Sequence, residues 1–105
     1  MGFQFEKLRV LVVEDTVPMR KIIVAVLGAI GVSKITQAGN GKQAYQKFKN
    51  SPIDLIITDW LMEPMDGIEL TKKIRLDDDS PNRFAPIIMV TGYSAMKRVQ
   101  DARDA

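Results

Sequence analysis

Residues 8–13 read Leu-Arg-Val-Leu-Val-Val, and the acidic residues Glu14 and Asp15 follow this run directly. A short run that is rich in valine and bounded by acids is typical of a β-strand. A second run, residues 53–58, is nearly all apolar and predicts a strand that is covered on both faces. Strands of this kind belong to parallel sheets with helices on both sides, so helical segments are expected between them.

Helical patterns do separate the predicted strands. Pro18 suits the first turn of a helix, and Gly31 suits the end of the same helix. Five apolar residues between them are predicted to share one face of this helix, namely Ile22, Ile23, Val26, Leu27 and Ile30. The first helix is therefore predicted to carry one apolar face.

Two capping-box patterns predict the starts of further helices, Asn40 with Gln43 and Asp66 with Glu69. Residues 33–37 and 86–90 predict two more strands, and Ser94 is suited to cap a last helix. The resulting order βαβαβαβα predicts an α/β fold with a doubly wound parallel sheet and right-handed crossovers. A mixed α+β fold is the less favoured alternative.

The composition excludes several classes of function. The chain has 105 residues, 46% of them hydrophobic, which is enough for one compact domain. It has no cysteine and no histidine, so a disulfide scaffold, a zinc finger and a histidine-based catalytic triad are excluded. The net charge of +2 is spread along the chain, and no apolar run is long enough to span a bilayer. We therefore expect a cytoplasmic protein without direct contact to nucleic acid or membrane.

Acidic or hydroxyl side chains follow three of the predicted strands. Glu14 and Asp15 end the first strand, Asp59 follows the third, and Thr91 follows the fourth. Because parallel strands end at one edge of the sheet and neighbours lie about 4.8 Å apart, the three carboxylates are expected to converge. Such a cluster repels itself, and Mg²⁺, which prefers oxygen ligands, relieves the repulsion. Any one of these acids alone is better explained as a loop or capping residue, so the prediction depends on the combination.

The sequence resembles the receiver domain of two-component response regulators, most closely the single-receiver chemotaxis type, over residues 8–105. Four motifs carry this resemblance: Val12-Val13-Glu14-Asp15, Ile56-Ile57-Thr58-Asp59-Trp60, Met65-Asp66-Gly67 and Val90-Thr91-Gly92. Each motif is weak by itself, but their combined spacing is highly specific. The resemblance implies the flavodoxin-like receiver fold, with the strand order 2-1-3-4 for the four predicted strands.

The resemblance also implies a phosphoacceptor switch. Asp59 would accept a phosphoryl group from a sensor histidine kinase, a phosphotransfer protein or a small phosphodonor, and the domain would then act on an unknown downstream target. Mg²⁺ would be held by Glu14, Asp15 and Asp59 with the backbone carbonyl of Leu61. The resemblance implies Asp59 and Thr91 as catalytic residues, and Thr91 would hydrogen-bond the phosphoryl oxygens and report the presence of the group by moving. The implied phosphoryl-binding residues are Trp60, Leu61 and Gly92. Such a domain is an enzyme only in catalysing its own phosphorylation and dephosphorylation.

Three features depart from the family pattern. Glu14 stands where many members have Asp, and the usual Met-Pro after the acceptor is replaced by Met62-Glu63-Pro64. The sequence also stops before the fifth strand, its lysine and the fifth helix. We therefore expect a single receiver domain over residues 1–105 that is incomplete at its C-terminus. Exposed apolar surface and an unpaired edge at residues 86–90 then predict a homodimer.

Two other functions are alternatives to the phosphoacceptor switch. A metal-dependent phosphatase with an aspartyl-phosphate intermediate needs a second Asp two residues after the nucleophile, and Leu61 occupies that position. The second alternative is a receiver-like fragment without phosphotransfer competence, which acts or crystallises as a dimerising interaction module.

Overall fold

A computed structural model of the chain describes residues 4–90, in which strands and helices alternate after a short 3₁₀ turn at Phe5–Lys7. The elements are β1 (Arg9–Val13), α1 (Val17–Ala29), β2 (Lys34–Ala38), α2 (Gly41–Asn50), β3 (Leu55–Asp59), α3 (Gly67–Leu76) and β4 (Ile87–Val90). Thr91, Gly92 and the helix predicted after Ser94 lie outside the described residues. None of the helices within residues 4–90 is long and apolar enough to cross a membrane.

The four described strands form one sheet in the order β2-β1-β3-β4, and every neighbouring pair is parallel. Val13 pairs with Ala38 on one side and with Thr58 on the other, so β1 lies at the centre. This topology confirms the predicted α/β fold and strand order, and the mixed α+β alternative is wrong. The register also brings the carboxyl ends of β1 and β3 to the same edge.

Helices cover both faces of the sheet, as the apolar strands predict. On one face, Phe48 of α2 and Leu70 of α3 pack against Leu11 and Ile56. The opposite face is covered by α1, of which Leu27 is buried in a cluster that includes strand residues. The four residues of β1 after Arg9 are fully buried, and alternate residues of a strand point to opposite faces, so both faces are covered along this part of β1. This burial fixes the position of the acids that follow β1.

The apolar face predicted for α1 is divided in the structure into a buried part and an exposed part. Leu27 is buried and Ile23 is half-buried, but Ile22, Val26 and Ile30 are 57%, 56% and 53% exposed. The five residues form two neighbouring rows along the helix, because residues four apart lie one above the other. Only the row of Ile23 and Leu27 faces the sheet. The other row is an exposed apolar stripe, which we define as Ile22, Val26 and Ile30.

Side chains cap the starts of α2 and α3. Asp66 accepts a hydrogen bond from the Glu69 backbone N–H at 2.8 Å, and the Glu69 carboxylate accepts from the Asp66 N–H at 3.2 Å, which confirms that capping box. Asn40 accepts from the Gln43 N–H at 2.9 Å as predicted. The reciprocal half of this second capping box is wrong, because Gln43 Oε1 accepts instead from the N–H of Gly39 at 3.0 Å. Both caps lie at the edge of the sheet where the acids converge.

Candidate functional site

Three carboxylates converge at the carboxyl ends of the adjacent strands β1 and β3. Glu14 directly follows β1, and Asp59 is the last residue of β3, one residue later than the strand end predicted from the sequence. One carboxylate oxygen from each of Glu14, Asp15 and Asp59 lies within 4.8 Å of the others. Glu14 and Asp59 are fully buried, whereas Asp15 is exposed. The structure thus brings together the acids that strand spacing predicted.

The buried carboxyl group of Glu14 has only part of its hydrogen-bonding capacity used. Its Oε1 accepts from the Thr16 N–H at 3.1 Å, and its buried Oε2 has no hydrogen-bond partner among residues 4–90. Burial raises the pKa of Glu14 to about 7, the Thr16 N–H opposes this rise, and the carboxylates of Asp15 and Asp59 add to it. A cation at this point would favour the charged form of Glu14 and offset the mutual repulsion of the acids.

Asp59 is held at the end of β3 by its neighbours in the chain. Its Oδ1 accepts from the Trp60 backbone N–H at 2.7 Å. The Thr58 hydroxyl donates to the Asp59 main-chain carbonyl at 3.0 Å. Trp60 itself is 43% exposed, so its indole lies at the surface beside the acids. Asp59 is therefore a buried carboxylate in a fixed orientation, next to an exposed ring.

The loop between β3 and α3 is fixed at two points by glycine backbones. Gly67 N–H donates to the Trp60 carbonyl at 2.9 Å, and Gly41 N–H donates to the Met65 carbonyl at 2.9 Å. A Cβ atom at Gly41 would overlap with the Met65 carbonyl, and one at Gly67 would overlap with the Asp59 carbonyl. Met65 itself has a φ of 67°, in the left-handed region. Both close approaches require glycine, and the sequence analysis did not predict this role for either residue.

Arg20 joins α1 to the ends of β1 and β2, and sequence reasoning missed it. Its Nη1 donates to the main-chain carbonyl of Glu14 at 2.7 Å, and its Nε donates to Gln37 Oε1 at 3.2 Å. The guanidinium thus fixes the backbone of an acid that belongs to the cluster. A basic residue on a helix is usually a solvated surface residue, so the sequence carried no specific signal for this contact.

A cavity of about 390 Å³ opens beside the carboxylates. It is lined by Asp15, Leu61, Met62, Glu63, Met65, Asp66 and Glu69. Asp15 therefore belongs both to the carboxylate cluster and to the cavity wall. Sequence reasoning placed Leu61 near the site but missed the contributions of Glu63 and Glu69, because these depend on the path of the loop.

The fold and the site together define an α/β domain with an acidic cluster at the carboxyl edge of its parallel sheet, and comparison with known sequences shows its family. The sequence profile of the response regulator receiver domain matches residues 10–105, so the chain belongs to the response regulator receiver family. Chemotaxis protein CheY1 of Helicobacter pylori is 40% identical over 87 residues, which are 80% of this chain and 67% of that protein.

Solved structures of receivers are similar in fold. The receiver domain of the histidine kinase CKI1 from Arabidopsis thaliana, solved as a mutant, has a TM-score of 0.76 and 31% identity, covering 91% of this chain and 76% of that chain. A complex of CheX and CheY with BeF₃ and Mg²⁺ from Borrelia burgdorferi gives a TM-score of 0.72 and 29% identity, covering 92% of this chain and 71% of that chain.

Membership of this family indicates which kind of site the carboxylate cluster forms. A CheY-like receiver domain is a phosphoacceptor switch rather than an enzyme, and receiver domains have histidine kinases as partners. The triad of Glu14, Asp15 and Asp59 is typical of the Mg²⁺ site of receivers. Thr91 and Gly92 lie outside the described residues, so their predicted roles stay predictions.

Proposed function

We propose that this chain accepts a phosphoryl group on Asp59 from a sensor histidine kinase or a phosphotransfer protein, with Mg²⁺ as cofactor. The observation that carries the proposal is the convergence of Glu14, Asp15 and Asp59 within 4.8 Å at the ends of two adjacent strands. Asp59 is the acceptor because the Trp60 N–H orients one of its oxygens and leaves a carboxylate nucleophile at a fixed place. In the transfer, a carboxylate oxygen forms the new bond to phosphorus while the phosphorus–nitrogen bond of the donor breaks.

The donor set fits Mg²⁺. The cluster offers oxygen ligands only, one of them exposed at Asp15, which suits a hard and partly hydrated cation. The unused Oε2 of Glu14 is a buried acceptor that a cation would satisfy. Glu14, Asp15, Asp59 and the backbone carbonyl of Leu61 would hold the ion. When bound, Mg²⁺ neutralises charge that develops on the transferred phosphoryl group.

The remaining roles extend the same proposal. Thr91 and Gly92 bind the phosphoryl group with Trp60 and Leu61, and Thr91 responds to its presence. A similar protein has been solved in a complex that contains BeF₃ and Mg²⁺, which supports the proposal that this chain binds a phosphoryl group and a cation. The protein acts in the cytoplasm on an unknown downstream target, without direct contact to nucleic acid or membrane.

Phosphoryl labelling tests this proposal. Incubation with phosphoramidate and Mg²⁺ is expected to add one phosphoryl group, which peptide mass spectrometry places on Asp59. Asp59→Asn should abolish the addition, because an amide is not a nucleophile for phosphorus. The matched control is Asp78→Asn, which removes a fully exposed carboxylate on the α3–β4 loop and should leave labelling unchanged. Labelling of another residue, or unchanged labelling of Asp59→Asn, would contradict the proposal.

A second candidate function, a self-associating interaction module, is favoured by the exposed apolar stripe on α1. Each of its side chains is more than half exposed, and full burial of such a side chain contributes roughly 1.5–3 kcal/mol. A symmetric homodimer through this stripe would bury it. We expect light scattering at micromolar concentration to detect a dimer, and Val26→Lys to prevent it, while Lys49→Glu on α2 should not. A monomer at every concentration would contradict this candidate.

A further inference from the structure

The cavity that Asp15 lines also contains Glu63, an acid for which the proposed function gives no role. We infer that Glu63 is a specificity residue, which selects phosphodonors of lower negative charge, in particular N-phosphoryl donors with a protonated nitrogen. This inference rests on the proposed function, because it concerns how a donor approaches Asp59. The inference gives a role to Glu63, which stands where the family usually has a proline after the acceptor.

Glu63 lies in the wall of the cavity that a member of the carboxylate cluster also lines. Glu63 is exposed, and it lines the same cavity as Asp15, which lies in the carboxylate cluster with Asp59. The backbone on either side of it is fixed, since the Trp60 and Met65 carbonyls accept the two glycine N–H groups at 2.9 Å. Met62, directly before it, is buried and anchors the loop in the core. The carboxylate of Glu63 is thus carried on a fixed backbone at the cavity wall.

The charge of Glu63 is the least compensated of the four acids that line the cavity. Asp66 and Glu69 accept backbone N–H groups from each other at the amino end of α3, where a helix favours negative charge. Asp15 belongs to the proposed cation site. Glu63 makes no hydrogen bond or ion pair with any residue of 4–90, and no basic side chain from this part of the chain lines the cavity. The negative charge of Glu63 therefore acts on any charged ligand that enters the cavity.

Two small phosphodonors differ in net charge but transfer the same phosphoryl group. Near neutral pH acetyl phosphate carries two negative charges, whereas phosphoramidate has a protonated nitrogen and a lower net charge. With phosphoramidate, an Asp59 oxygen bonds to phosphorus, the phosphorus–nitrogen bond breaks and ammonia leaves with the electron pair. With acetyl phosphate, the phosphorus–oxygen bond breaks and acetate leaves. Both donors give the same aspartyl phosphate, so the ratio of their rates reports the discrimination between donors.

The experiment compares this ratio in variants at saturating Mg²⁺. Glu63→Gln is expected to lower the phosphoramidate-to-acetyl phosphate rate ratio about two- to fivefold, the size of one charge–charge interaction in a solvated cavity, and Glu63→Lys to lower it further. Added salt should lower the wild-type ratio in the same direction. The matched control is Glu6→Gln, because Glu6 is an exposed acid before the amino end of β1, at the opposite edge of the sheet.

The outcomes separate this inference from the proposed function. If both donors label Asp59 but the ratio is the same in wild type, Glu63→Gln and Glu63→Lys, the inference is overturned and the proposed function stands. A ratio that changes equally in Glu6→Gln also overturns it, since the effect would then follow net charge alone. If neither donor labels Asp59 in any form of the protein, the proposed function fails and the inference fails with it.

Discussion

Replacing Gly67 with alanine is expected to lower the free energy of unfolding by about 1–3 kcal/mol and to reduce labelling of Asp59 severely. A Cβ atom at this position would overlap with the Asp59 carbonyl oxygen and lie 3.3 Å from the Trp60 Cα. Both neighbours are backbone atoms, so relief requires movement of the strand end that carries the acceptor. The measurement is urea unfolding followed by Trp60 fluorescence, together with the labelling assay.

Gly28→Ala is the matched control for this prediction. Gly28 lies inside α1, and a Cβ atom there would have no heavy atom within 4 Å. Alanine is a better helix former than glycine, so this variant should be more stable by up to about 1 kcal/mol. Equal stabilities for Gly67→Ala and wild type would show that the end of β3 moves freely, and the account of a fixed acceptor would then be wrong.

Asp15→Asn is expected to weaken Mg²⁺ binding at least about tenfold, since loss of even an indirect supporting group commonly costs this much. Asp15 is the exposed member of the cluster, so the substitution should not disturb the buried core. Isothermal titration calorimetry measures the affinity directly. The control Glu6→Gln removes the same charge at the opposite edge of the sheet and should leave the affinity within about twofold, as expected for a distant screened charge. Equal affinities in Asp15→Asn and wild type would exclude Asp15 as a ligand.

The sequence was sufficient to predict the features that depend on periodicity and on the ends of elements. The alternation of apolar runs and capping residues led to the parallel sheet, and Asp66 with Glu69 was recognised as a helix start. Convergence of Glu14 and Asp59 followed because parallel strands end at one edge. These inferences hold because each depends on a local pattern or on a general property of parallel sheets.

Other features depend on how elements pack, and the sequence does not contain that information in local form. The row of Ile22 and the row of Ile23 have the same helical period, so the pattern could not tell which one faces the sheet. Contacts of Arg20 with the Glu14 carbonyl need the relative placement of α1 and β1. Likewise, Glu63 reaches the cavity only because the loop is held between two glycines.

The backbone of Trp60 joins the Asp59 carboxylate to helix α3. Its N–H donates a hydrogen bond to Asp59 Oδ1 at 2.7 Å, and its carbonyl accepts one at 2.9 Å from the N–H of Gly67, the first residue of α3. The backbone of this one residue therefore connects the Asp59 carboxylate to the start of a helix through two hydrogen bonds. A displacement of Asp59 is expected to change both bonds, and the indole of the same residue, the only tryptophan in the chain, would report it.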